Sequence, residues 1–406
     1  MQISSSVNVK TFDSPAPTIR WTDSGKDCSA LWRSERGAPP PKRVTLADDT
    51  TTADTAYRLA CEGTALLWRG DFHNATQLLQ AMARRADKTP ARKKRVSAKE
   101  SAPSPADTFH HYRQARSQRA RILGSLLLPF DADYGIALRR APDARQACAE
   151  AWGPTDPVAD PSVASLRELL GIIGAHEWRK KGVEIPALGD PPNNRIHPHY
   201  GVFSPVRGEY VGLVATAPLP GTGQDGFVAI DVGTGTGVLA AVLARRRVEH
   251  VVATDHDPRA LTCARENIAR LGLAGQVRVV SADLFPEGRA SLVVCNPPWL
   301  PARPGSPLES AVYDEDSRML VGFLNGLTAH LVPNGEGWLI LSDFAEHLGL
   351  RSRSDLLAAF ERYGLKVVGR IDARPKHPKA SDASDALHQA RAAEVTSLWR
   401  LAAIES

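Results

Sequence analysis

The sequence predicts an α/β protein whose C-terminal half is a parallel sheet with helices on both faces, preceded by a mainly helical N-terminal half. Three observations carry this. From Phe227 onward, apolar β-branched runs alternate with helical runs. A glycine-rich turn, Asp231-Val232-Gly233-Thr234-Gly235-Thr236-Gly237, joins the first such run to the next helix. Upstream, from Thr55, leucines recur at near-helical spacing.

The chain of 406 residues exceeds one small core and suggests about two domains plus unpacked chain. No apolar run is long enough to span a membrane, and the start, MQISSSVNVK, lacks the apolar core of a secretory signal, so a cytoplasmic protein is expected. The five cysteines are odd in number, widely spaced and without a CxxC pair. That argues against a disulfide framework and a structural zinc site, and no metal is expected. Fifty basic and 45 acidic residues leave a mild net charge of +5.

Residues 1–50, rich in Ser, Thr, Pro and charge, read as a flexible tail. Residues 51–181 read as a mainly helical domain. Its helices are expected over Thr55–Arg85, broken at Gly70-Asp71, and then over Phe109–Leu128, Ala144–Trp152 and Val163–Ile173. Between the first two lies a basic, Pro- and Ser-containing linker, Arg84–Pro105. Residues 182–406 form the sheet domain. It opens with short strands at Val183–Ile185 and Ile196–Phe203. Strands follow at Phe227–Asp231, His250–Asp255, Val277–Asp283, Ser291–Cys295, Gly337–Asp343, Leu365–Ile371 and Val395–Leu401. The intervening helices are Gly237–Arg246, Pro258–Leu271, Asp316–Leu331 and Ser354–Tyr363.

The glycine turn follows a strand and opens a helix, which suits backbone approach to a ligand. A dinucleotide fingerprint needs glycine where Val238 stands, and no Gly-Lys-Ser/Thr step makes a P-loop. Asp231 would repel a pyrophosphate but suits a cationic amino-acid ligand, and S-adenosyl-L-methionine (SAM) has such a part. Asp255, at the end of the second strand, can accept ribose hydroxyl protons. Asp283, at the end of the third, can accept from an adenine amine. Gly233, Thr234, Gly235 and Gly237 complete this set, while His256 and Asp257 only cap the following helix.

After the fourth strand comes Asn296-Pro297-Pro298-Trp299. Two prolines fix an extended loop. The Asn296 amide oxygen, which also borders the cofactor site, and the carbonyl after it can accept both hydrogens of a planar NH2 group. Trp299 offers a flat face for stacking. A nitrogen so held can attack the methyl of SAM, with positioning supplying most of the acceleration.

Residues from about 200 to 402 resemble the Rossmann-like class I SAM methyltransferases. That resemblance implies a seven-stranded sheet and SAM as cofactor. The Asn-Pro-Pro-aromatic motif is similar to three branches: adenine amino, release-factor-type protein glutamine, and ribosomal RNA guanine amino methyltransferases. Gly201-Val202-Phe203-Ser204 looks like the entry to the catalytic domain of the last branch, whereas Pro205-Val206-Arg207-Gly208-Glu209-Tyr210 is closer to the glutamine branch. Trp299 stands where Tyr or Phe is more usual. The expectation is methyl transfer to a planar amino or amide nitrogen. An RNA base is slightly favoured and protein glutamine is the alternative. A non-catalytic SAM- or RNA-binding module is a lesser one, against which Asp231 and Asn296 argue.

For the substrate, Arg92, Lys93, Lys94 and Arg95, and Arg113, Arg116, Arg119 and Arg121, are candidate phosphate contacts. The polar segment Arg374–Glu394, with Lys376, His377, Lys379, His388 and Arg391, is placed to cover the substrate. Asp343 and His347 lie near the same edge.

Overall fold

A computed structural model describes residues 17–88, 103–155, 160–206, 208–221, 226–305, 309, 311–375 and 382–404. The chain divides into two compact units: residues 1–89, 120–146 and 154–169, and residues 90–119, 147–153 and 170–406.

The first unit is built on a six-stranded sheet, not on helices. Its strands are β1 (Thr18–Asp23), β2 (Lys26–Trp32), β3 (Arg43–Ala47), β4 (Thr64–Trp68), β5 (Leu126–Phe130) and β6 (Ser162–Ser165), in the order β1-β2-β6-β5-β4-β3. Helices α1 (Ala53–Cys61) and α2 (Phe72–Lys88) flank β4 in sequence. Two expectations are corrected here. Within the expected tail, residues 18–47 hold three strands. Ser24 and Gly25, both at positive φ (50° and 78°), close a two-residue hairpin between β1 and β2. The mainly helical reading also fails, because Leu66, Leu67 and Leu126–Leu128 are wholly buried in short strands. Five-residue apolar runs match helix and buried-strand patterns alike. Asp71, fully buried, anchors this unit: its carboxylate accepts from Arg139 Nε at 2.7 Å and Arg140 Nε at 2.8 Å. The Arg140 hydrogen bond outweighs the opposing effect of burial and holds that carboxyl well below the ordinary carboxylate range.

Helices α3 (Pro105–Leu123), α4 (Arg145–Trp152) and α5 (Leu166–Lys181) come next. The second unit then opens with a two-stranded antiparallel ribbon, β7 (Val183–Glu184) and β8 (Arg195–Ile196). The strand expected over Ile196–Phe203 stops at Ile196. Pro198 interrupts it, and the backbone of His197 pairs with the Asn267 side chain instead. Helix α6 (Glu209–Thr216) leads to the main sheet.

That sheet contains β9 (Val228–Val232), β10 (His250–Asp255), β11 (Val277–Ser281), β12 (Ala290–Cys295), β13 (Leu331–Ser342), β14 (Leu365–Ala373) and β15 (Thr396–Ala403). Its order, β11-β10-β9-β12-β13-β15-β14, is the Rossmann-like class I methyltransferase arrangement. The first five strands of that order run parallel, and β15 pairs antiparallel with both β13 and β14. Helices α7 (Val238–Arg245), α8 (Pro258–Arg270), α9 (Arg318–His330), α10 (Phe344–His347), α11 (Arg353–Arg362) and α12 (His388–Ala393) connect them. Period-two alternation sorts the strands into two cores. Ala229, Leu292, Val294, Trp338, Ile340 and Leu398 pack with α6 and α7. Ile230, Val232, Val293, Cys295, Leu339 and Leu341 pack against α9 and α11. Helix α9 starts two residues later than expected, because Asp316 and Ser317 adopt positive φ of 57° and 54°. Among the described residues no helix is long and apolar enough to cross a membrane.

Candidate active site

The register of the sheet brings the predicted residues to one edge. Val232 pairs with Thr254 on one side and with Cys295 on the other, so Gly233, Asp255 and Asn296 emerge level at the C-terminal ends of β9, β10 and β12. Asp255 pairs with Ser281, which puts Asp283 just past the next strand end, exposed. Open parallel sheets bind ligands at this edge.

The glycine turn is wired to these strand ends. Thr234 N–H donates to the Thr254 carbonyl at 2.8 Å. Gly235 N–H donates to Asp255 Oδ2 and Asp257 N–H to Asp255 Oδ1, each at 3.0 Å. Each Asp255 oxygen thereby holds one backbone donor and keeps lone-pair capacity for a second. Asp257 caps α8, as expected, by accepting from Arg259 N–H at 2.8 Å, while His256 stays exposed. Gly237 has φ of 82°, and a Cβ there would press on the backbone of Ala264 in α8 at 3.3 Å. At Gly233, φ is 69° and the Met319 side chain lies where a Cβ would go. Gly235, by contrast, faces open space. The turn therefore leaves a bare backbone edge for a ligand to approach.

Asp231 is buried beneath the turn. Its Oδ2 accepts from Thr234 Oγ1 at 2.6 Å and from Ala240 N–H at 3.0 Å. Burial pushes its carboxyl up to about 6, the two hydrogen bonds pull it back only in part, and the charge of Asp255 adds to the rise. Tyr210 on α6 and Cys295 on β12 are pushed upward too, mainly by burial and then by the Asp231 charge.

The Asn296–Trp299 loop closes the other side. Pro297 is buried, Pro298 half-buried, and the half-buried Trp299 packs against both cores of the sheet. Its indole Nε1–H donates to Asn296 Oδ1 at 3.0 Å, which orients the amide and leaves that oxygen one free lone pair. The chain then runs through Leu300, whose N–H donates to the Val312 carbonyl at 3.1 Å and whose carbonyl accepts from Asp314 N–H at 2.8 Å. Asp314, its carboxyl raised by burial, accepts from Met319 N–H at 3.0 Å and Leu320 N–H at 3.2 Å. Because Met319 covers Gly233, this path links the Asn296 loop back to the glycine turn.

Asn267, Asp314 and Met319 belong to this framework but were missed in the sequence. Asn267 Nδ2 donates to the Thr236 carbonyl at 3.1 Å and to the His197 carbonyl at 3.2 Å, while its Oδ1 accepts from His197 N–H at 2.8 Å. It was detectable as a polar residue on the apolar stripe of α8, beside Ala264 and Ile268. An acid shortly before the run opening α9 was the signal for Asp314.

The substrate-side candidates divide. Arg113 donates to the Arg303 carbonyl and stacks over Tyr313 with its Cζ 4.3 Å from the ring centroid. Arg116 donates to the Tyr112 hydroxyl at 2.9 Å. Arg113 is half-buried, while Arg116 stays exposed. Arg92, Lys93, Lys94, Arg95, Lys376, His377 and Lys379 lie outside the described residues. Leu387, just before α12, is buried with Phe109, Leu300 and Phe344, so the end of the polar segment does pack beside the Asn296 loop. Asp343 instead serves the sheet, accepting from Val395 N–H at 2.7 Å, with His347 Nε2 at 3.4 Å.

Residues 193–363 match the methyltransferase small domain family. A release factor glutamine methyltransferase of Mycolicibacterium smegmatis is 40% identical over 166 residues, covering 39% of this chain and 57% of the relative. A second, from Moorella thermoacetica, is 37% identical over 123 residues, covering 28% and 43%. A ribosomal protein L11 methyltransferase of Pelotomaculum thermopropionicum is 51% identical over 75 residues, covering 18% and 24%. The chain thus spans about half or less of the length of these relatives.

Proposed function

We propose that this chain, whose C-terminal unit is a SAM-dependent methyltransferase domain, transfers a methyl group to the planar amide nitrogen of a protein glutamine. The observation that carries the reading is the level placement of the Asn296 amide and the glycine turn at one sheet edge. Asp231, Gly233, Thr234, Gly235, Gly237, Asp255 and Asp283 would hold SAM, which supplies a methyl on a sulfonium leaving group. The bare edge at Gly235 and the spare lone pairs of Asp255 fit that ligand.

The chain's own residues do the positioning. The free lone pair of Asn296 Oδ1 accepts one hydrogen of the substrate amide, and the Pro297 carbonyl accepts the other. Trp299 holds Asn296 in the orientation this needs. So pinned, the nitrogen directs its lone pair at the methyl carbon. With SAM bound, the nitrogen would take the methyl as the carbon–sulfur bond's electron pair stayed on sulfur, and would shed its proton to water. Positioning of this kind supplies most of the acceleration.

Two observations support a protein substrate over RNA in this reading. The Arg113 side chain, expected as a phosphate contact, is engaged with the Arg303 carbonyl and the Tyr313 ring. The similar relatives are named for protein substrates. An RNA amino group, which would make the same two hydrogen bonds and stack on Trp299, is the second reading. Incubating lysate with radiolabelled SAM and the protein, then digesting with RNase or protease, separates them. Label released by protease alone is the expected result, and label released by RNase alone would overturn it.

A further inference from the structure

Arg351 lies between α10 and α11, in the loop that leaves the C-terminal end of β13 beside the strand that ends at Asn296. Its guanidinium Nε and Nη2 are both buried, and neither has a hydrogen-bond partner. These two nitrogens make up one edge of the group, the edge that meets a planar anion with two parallel N–H···O bonds. A buried edge without acceptors is costly and calls for a ligand.

The carboxylates around it hydrogen-bond to other donors. Burial disfavours the Arg351 cation and lowers its pKa, the charge of Arg353 adds to this, and the charges of Glu346 and Asp314 oppose it only in part. Both Glu346 oxygens accept from Arg353 Nε at 2.9 Å. The Asp314 carboxylate accepts the backbone N–H groups of Met319 and Leu320. Asp355 closes a capping box with Ser352. Arg351, Arg353, Glu346, Leu350 and Asp355 line one surface depression. Leu350 packs on the cluster that contains Leu300, the residue after the Asn296–Trp299 loop. Leu350 therefore borders both the depression and the cluster that follows the amide-pinning loop.

We propose that the Arg351 edge receives a carboxylate of the substrate polypeptide, from an aspartate, a glutamate or the C-terminus, near the glutamine that is methylated. This rests on the protein-amide reading above. A single guanidinium edge without hydrogen-bond partners matches the two oxygens of one carboxylate. Arg351 is thus a specificity residue. It selects which glutamine reaches Asn296.

The test uses the full chain, radiolabelled SAM and two pools of random glutamine-containing peptides, one retaining Asp and Glu and one with both replaced by Ser and the C-terminus amidated. At sub-saturating concentration the wild type should label the acidic pool about 10- to 100-fold faster, the range expected of a two-bond charged contact. Arg351→Gln and Arg351→Lys should lose that preference, by a rise in KM, while SAM affinity and melting temperature hold. The lysine variant keeps the charge without the two-pronged edge and serves if the glutamine variant does not fold. Equal labelling of both pools by wild type, or a preference that survives in the variants, overturns the inference and leaves the methyltransferase reading standing. Label in added total RNA and in neither pool overturns both.

Discussion

Replacing Asp231 by Asn should abolish a pH dependence that the wild type carries in both stability and SAM binding. Burial raises this carboxyl from 3.8 to about 6, so between those values the folded chain holds a proton that the unfolded chain has lost. Raising the pH through that window removes stability, and by pH 7 the loss approaches about 3 kcal/mol at ~1.4 kcal/mol per pH unit. The ionised form is the one that would attract the SAM ammonium group. At pH 5 only about one folded chain in ten carries that charge, whereas at pH 7.5 nearly all do, so the SAM Kd should be about tenfold weaker at pH 5. Isothermal titration calorimetry from pH 5 to 8 reads this directly. In Asp231→Asn the Kd should be flat with pH and weak throughout. A wild-type Kd that is equal at pH 5 and pH 7.5, or an Asn variant that keeps the slope, would refute the assignment of Asp231.

Other substitutions separate positioning from framework. Asn296→Ala should bind SAM as the wild type does but transfer label at least about a hundredfold more slowly, measured in single turnover with saturating SAM. Gly237→Ala forces a side chain to φ of 82° against Ala264, and should cost about 1–3 kcal/mol in urea unfolding and weaken SAM binding with it. Asn267→Ala strands the buried Thr236 carbonyl and the His197 N–H, and should cost about 2–4 kcal/mol by the same measurement.

Much of the second unit was readable in the sequence because its signals are local. Each strand from β9 to β12 is a short apolar run, and the expected ends fall within two residues of those observed. Asp231, Asp255 and Asn296 were readable for the same reason, since each lies at or within one residue of the C-terminal end of a strand of the parallel sheet. The first unit was misread where local pattern is ambiguous. Leu66-Leu67 and Leu126–Leu128 fit a helical stripe until the strands pairing with them are known. Met319 and Arg351 carry no local signal at all. Their importance comes from what the chain brings against them: Gly233 in one case, and neighbouring carboxylates already taken by other donors in the other.

The most direct measurement is a crystal structure of the chain with S-adenosylhomocysteine. The ligand should lie along Gly233–Gly237, its ribose on Asp255 and its sulfur facing the Asn296 amide across a gap that fits one methyl group and one nitrogen. Ligand bound elsewhere, or with its sulfur turned away from Asn296, would contradict the account.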